Sequence, residues 1–231
     1  MPSEFAPGID RRALIRRLAV GGAVVWASPM MQSVASAQAV QSCSTGPVVL
    51  NWDAFATNTV FSSATVAGLT VTITAVAGGG ATLWNPNRVV RDGPSGGVNE
   101  KYLRFEMVPN AQNIFQTITI TFSRPVTNLS FEVFDIDSIS NPGWRDELLL
   151  PTTGTTWSIP AGSAVARVGT TTPPLFRNNN NNNNVDYTSP GGNLNVFHVG
   201  STSSLVMTYR NGNQTGGGNQ YIGIGDITFN C

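Results

Sequence analysis

The chain has 231 residues with thirteen basic and thirteen acidic side chains, so no positive excess exists to track a phosphate backbone, and nucleic acid is excluded as a partner. Charged residues are only 11% of the chain, and its apolar positions show no sustained 3.6-residue period, which excludes a helical bundle. Abundant Thr, Ser, Asn and Gly around short apolar runs are the profile of an extracellular β-protein.

The N-terminus reads as a processing segment. Arg11-Arg12 and Arg16-Arg17 precede the apolar run Leu18 to Ala27, small residues follow to Ala37-Gln38-Ala39, and cleavage is expected after Ala39. A polar residue, two arginines and two aliphatics in Asp10-Arg11-Arg12-Ala13-Leu14-Ile15 resemble the twin-arginine export signal, with an ordinary secretory signal as the alternative. Ten apolar residues are too few to span a membrane. The leader carries Arg11, Arg12, Arg16 and Arg17 with Glu4 and Asp10, leaving nine basic and eleven acidic residues and a net charge of −2 in a single domain, 40–231.

Cys43 and Cys231 are the two cysteines, and export to an oxidising compartment makes their pairing the expected state. Closing so long a loop contributes at most about 5 kcal/mol in the chain-entropy account. Because twin-arginine substrates cross the membrane folded, the bond is expected to be a late latch. A lipid attached at Cys43 is the alternative, disfavoured by the distance from the apolar run ending at Ala27.

Strands follow in order. Val48 to Leu50 opens the domain, and Leu69, Val71, Ile73 and Ala75 alternate with Thr70, Thr72 and Thr74 as one half-buried strand. Trp84 to Asn99, rich in Asn, Pro and Gly, reads as a long exposed loop, the usual place for binding on a rigid sandwich. After a strand over Tyr102 to Met107, Ile118, Ile120 and Phe122 alternate with threonines, a Ser-Arg-Pro-Val-Thr-Asn break follows, and Leu129, Phe131 and Val133 alternate again. These are expected to be two strands joined by a turn. Short strands are expected around Trp157, over Ala164 to Val168, and over Asn193 to Val199, Ser204 to Tyr209 and Tyr221 to Phe229. The run Asn178 to Asn184 reads as a flexible surface loop. In the last strand Ile222 and Ile224 keep one phase and Ile227 and Phe229 the other, which requires an extra residue near Gly225-Asp226. About eleven strands result, an antiparallel two-sheet β-sandwich of jelly-roll type.

Strand alternation puts Asp135 and Asp137 on one side, about 7 Å apart. Asp146 and Glu147 return close in sequence, and Asp226 sits at the expected bulge. Asp135, Asp137, Asp146 and Asp226 either close on a structural calcium ion, which favours such oxygen ligands, or cap turns and pair with Arg145. His198, the sole histidine, alternates with its neighbours as a strand-surface residue and cannot alone make a zinc site or a triad. Trp84 and Trp144 stand in Pro/Asn/Gly segments, where an exposed indole stacks on sugar and a buried one closes the end of a sandwich.

The phrases Phe-Ser-Arg-Pro-Val-Thr-Asn-Leu-Ser-Phe-Glu-Val-Phe-Asp-Ile-Asp (122–137), Trp-Arg-Asp-Glu (144–147), Thr-Tyr-Arg-Asn-Gly-Asn (208–213) and Ile-Gly-Ile-Gly-Asp-Ile-Thr-Phe (222–229) resemble bacterial secreted and cell-surface β-sandwich modules. That resemblance implies an extracellular, non-enzymatic structural, adhesive or ligand-binding role toward a surface glycan or matrix protein. A carbohydrate-active hydrolase using Asp135, Asp137, Asp146 and Asp226 is the alternative, since glycosidases need only two carboxylates.

Overall fold

A computed structural model describes residues 46–139, 143–180, 184–212 and 220–231. The leader, Cys43 and the middle of the asparagine run lie outside these residues. The described residues all belong to one compact unit, Ser42–Cys231. Sixteen antiparallel strands and two single-turn 3-10 helices make up the regular structure of the described residues, and the sheet does not close into a barrel. The fold is an all-β sandwich with more strands than the eleven expected.

Strand β7, Phe115–Phe134, is the spine, and it corrects the sequence reading. No turn interrupts it at Ser123 to Asn128; the strand runs through and changes sheet. Its first half lies between β3 (Leu69–Gly78) and β14 (Thr202–Asn211), with Thr119 opposite both Thr74 and Val206. Its second half lies between β13 (Leu194–His198) and β16 (Ile227–Asn230), with Ser130 opposite both Phe197 and Thr228. Pro125 brings no N–H to the ladder and Asn128 adopts φ +50, so the corner falls on residues suited to a bend.

The first sheet continues from β14 through β9 (Trp144–Leu149) and β12 (Leu175–Asn178) to β11 (Val165–Arg167), and β2 (Ser63–Val66) flanks β3. In the second, β10 (Thr155–Ser158) flanks β13. Beyond β7 come β15 (Gln220–Ile224) with β6 (Tyr102–Val108), and β16 with β1 (Val48–Leu50). Alternate residues of both sheets meet in one core, where Phe122 and Phe229 cross the gap with ring centroids 5.2 Å apart.

Two segments read as loops are structured. Between Trp84 and Asn99, β5 (Val89–Arg91) pairs with β6, and Val89, Val90 and Ser95 are buried. Asn178 closes β12 fully buried, its amide donating to Ile136 O at 3.4 Å and accepting from Asn180 N at 3.0 Å. The bulge in the last strand is where the phase change put it: the four steps from Ile224 to Thr228 face only three on β7, from Val133 to Ser130. Its groups are used at once, since Trp52 donates its N–H to Asp226 Oδ1 and its indole N–H to Gly225 O, each at 2.8 Å.

Candidate functional site

Where β7 ends, Asp135 turns into the left-handed region at φ +65. Ile136 then drops into the core and donates its N–H to Gly192 O at 2.9 Å, so Asp135 and Asp137 stay on the other side, as alternation requires. A Cβ at Gly192 would stand 2.8 Å from Ile136 N and 3.1 Å from Asp135 Cα, so only glycine allows the 190–192 segment this approach.

Asp137 is laced to β9 through Asp146. Asp146 N donates to Asp137 O at 2.9 Å, and Asp137 N donates to Asp146 Oδ2 at 3.1 Å. The other oxygen of Asp146 accepts from Tyr209 Oη at 2.5 Å and Gln220 Nε2 at 3.0 Å. Asp146 is thus an anchor with both oxygens occupied. Asp137 Oδ2 accepts from Val185 N at 2.9 Å, and the Asp137 carboxyl, on a residue only 1% exposed, also meets the Asp146 carboxyl in a side-chain hydrogen bond. Asp135 accepts a hydrogen bond from Tyr221.

These groups line a cavity of about 360 Å3 whose described walls include Asp135, Asp137, Trp144, Asp186, Tyr187 and Tyr221. Trp144 is 5% exposed, and its indole N–H has no hydrogen-bond partner among the described residues. Tyr187, 57% exposed, stands at the rim. Burial pushes Asp135 up to about 6, against the Tyr221 hydrogen bond. Burial and then the charge of Asp135 push Asp137 up to about 8. Burial, followed by the charge of Asp137, holds Asp146 well above the usual carboxylate range. At the exposed rim Asp186 lies below it, because Thr188 donates both its hydroxyl and its N–H.

The expected residues therefore separate. Asp135, Asp137 and Asp146 come together; Asp226 does not join them but lies beside Trp52, near Asp53 and Glu100. Glu147 points to the opposite face of β9 and bridges Arg145, Arg177 and Arg210 at 3.4, 3.5 and 2.6 Å. Among the described residues no group of three or more His, Cys, Asp or Glu is placed to hold a metal ion. Trp144 walls the acidic cavity, whereas Trp84, 42% exposed, lines a separate one of about 430 Å3 with Asn85, Asn87 and Arg88. His198 stands half-buried on β13 with Nδ1 3.3 Å from Thr155 Oγ1.

Sequence reasoning missed Tyr187, Tyr209, Gln220 and Tyr221. Tyr221 was open to it, since it holds the phase opposite Ile222 and Ile224 and therefore leaves the core face. Tyr209 shares the inward phase of Leu205 and Met207, so its hydroxyl had to meet a buried acceptor.

The fold and cavity define an all-β antiparallel sandwich with an acidic, aromatic-walled pocket where the spine strand ends. No family model, curated protein or solved structure matches the chain.

Proposed function

We propose that the protein is an exported, non-enzymatic ligand-binding module of the cell surface or extracellular space that takes a sugar unit of a glycan into the Asp135/Asp137/Trp144 cavity. The observation that carries this reading is the cavity itself, where the carboxyl groups of Asp135 and Asp137 stand among the rings of Trp144, Tyr187 and Tyr221. A buried donor without a partner is costly, and a sugar hydroxyl is an acceptor of the kind the Trp144 N–H lacks among the described residues. Tyr187 and Tyr221 offer aromatic surface to the C–H faces of such a ring. The leader supports export by the twin-arginine route, and the resemblance to bacterial surface modules supports the location.

Titration of the mature protein with an oligosaccharide panel, followed by amide NMR, tests the reading. Shifts are expected at Asp137, Trp144 and Tyr221, and Trp144→Phe, which keeps a ring but removes the N–H, is expected to weaken binding about tenfold. A panel without a binder rejects the proposal.

One observation favours a second reading, a glycoside hydrolase: the neighbouring carboxyls Asp135 and Asp137 are pushed to different values, so one keeps its proton where the other ionises. Turnover of a glycoside that Asp137→Ala abolishes, with the fold retained, would establish it.

A further inference from the structure

We infer a second site, independent of the cavity: Arg177 and Arg210, on the outer face of the first sheet, bind the oxyanion groups of an acidic polysaccharide, a uronate carboxylate or a sulfate ester. Arg210, Glu147 and Arg177 stand side by side across β14, β9 and β12, and Arg145 joins them from two residues earlier on β9. Three guanidinium groups thus share one carboxylate, and three positive charges against one negative leave a surplus of two. They are three of the nine basic residues of 40–231. A purely structural network would be expected to include a second carboxylate, but among the described residues Glu147 is the sole ion-pair partner of Arg177 and Arg210.

Glu147 is the fixed centre. Its side chain is 4% exposed, and a Cβ on Gly212 would stand 2.7 Å from its carboxyl carbon, so it holds the arginines in place. Arg210 donates to it through Nε at 2.6 Å, and Arg177 reaches it through Nη1 at 3.5 Å. Three guanidinium groups bring far more N–H donors than one carboxylate has acceptor sites. The remaining donors of Arg177 and Arg210, whose side chains are 33% and 31% exposed, are therefore open to an anion, and a planar guanidinium fork matches the oxygens of a carboxylate or sulfate. The same face continues from Arg210 to Thr208 on β14, opposite Thr117 on β7, and on to Thr119 opposite Thr74, which are hydroxyl partners for sugar hydroxyls. The net charge of −2 over 40–231 repels a densely charged polyanion such as nucleic acid, whereas a glycan can present its anionic groups singly.

The test titrates the mature protein by calorimetry with trigalacturonate, sulfated maltotriose and unmodified maltotriose, at low and at physiological ionic strength. The charged trimers are expected to bind about tenfold more tightly than the neutral one, and less tightly as salt rises; whichever charged trimer binds better identifies the group recognised. Arg177→Gln and Arg210→Gln are each expected to lower that affinity about tenfold with the melting temperature retained, and Arg177→Lys, which keeps the charge without the fork, to recover part of it. Trp144→Phe should leave it unchanged, which separates this site from the cavity. Equal affinity for charged and neutral trimers, no binding by either charged trimer, or affinities untouched by both glutamine substitutions would overturn the inference and leave the cavity reading standing. Loss of charged-trimer binding in Trp144→Phe would move the ligand to the cavity and overturn it as well, as would a single-stranded oligonucleotide that binds more tightly than both charged trimers.

Discussion

Asp137 places a carboxyl group in a wall where Val185 N donates to one oxygen and the Asp146 carboxyl stands hydrogen-bonded beside it. Asp135 and Asp137 bind protons more tightly folded than unfolded, since burial raises both above the ordinary value near 4. The stability they contribute is therefore whole below about pH 4 and is lost as pH rises through about 6 and then about 8. Thermal melts of the ligand-free protein are expected to fall by several degrees between pH 5 and pH 8.5, and Asp137→Asn is expected to flatten that slope and raise the melting point at the alkaline end. A slope unchanged by the substitution would contradict the assignment. Gly192→Ala should cost about 1–3 kcal/mol in denaturant unfolding, because its Cβ meets backbone that cannot move aside. The sequence disclosed Asp135, Asp137 and the return of Asp146, since strand alternation and short chain separation suffice for that. It did not disclose that Asp226 goes to Trp52, 174 residues away, because nothing local encodes which end of a sandwich a bulge will face.

At the level of elements, β7 explains both the success and the failure of the sequence reading. The alternation in each half was legible and correct, but Ser123 to Asn128 holds the residues that favour turns, and only pairing on both flanks keeps the strand extended through them. Thr202 opposite Val126 and Asn230 opposite Thr127 carry the ladder around the corner, and those partners are more than seventy residues distant in the chain. Asn178 was hidden for a related reason: its identity inside a homopolymeric run says nothing, while its place opposite Val165 buries it. Since Asn128 holds a left-handed backbone that a β-branched side chain resists, Asn128→Val should destabilise by about 1–2 kcal/mol and Asn128→Gly should be tolerated. Phe122→Ala, which removes the ring bridging the two sheets, should cost about 3–5 kcal/mol, measured by chemical denaturation.

For the whole molecule the five acidic residues that the sequence singles out fall into separate neighbourhoods: Asp135, Asp137 and Asp146 at the cavity, Asp226 at Trp52 and Glu147 among the arginines of the first sheet. No calcium ion joins Asp226 to Asp135 and Asp137 in that arrangement, so melts in calcium and in excess chelator at equal ionic strength are expected to coincide; a rise of several degrees with calcium would restore the four-aspartate site. The expected Cys43–Cys231 bond bears on the first and last strands. Val48 pairs with Phe229 and Leu50 with Ile227, so the chain enters and leaves the domain at the same end of one antiparallel ladder. A pull on the two ends therefore opens that ladder one hydrogen bond at a time, like a zipper, instead of shearing all of them together. A reduced module tethered through its termini should yield at low force, beginning at Val48, and a closed bond outside that pair would carry the load past the sandwich altogether.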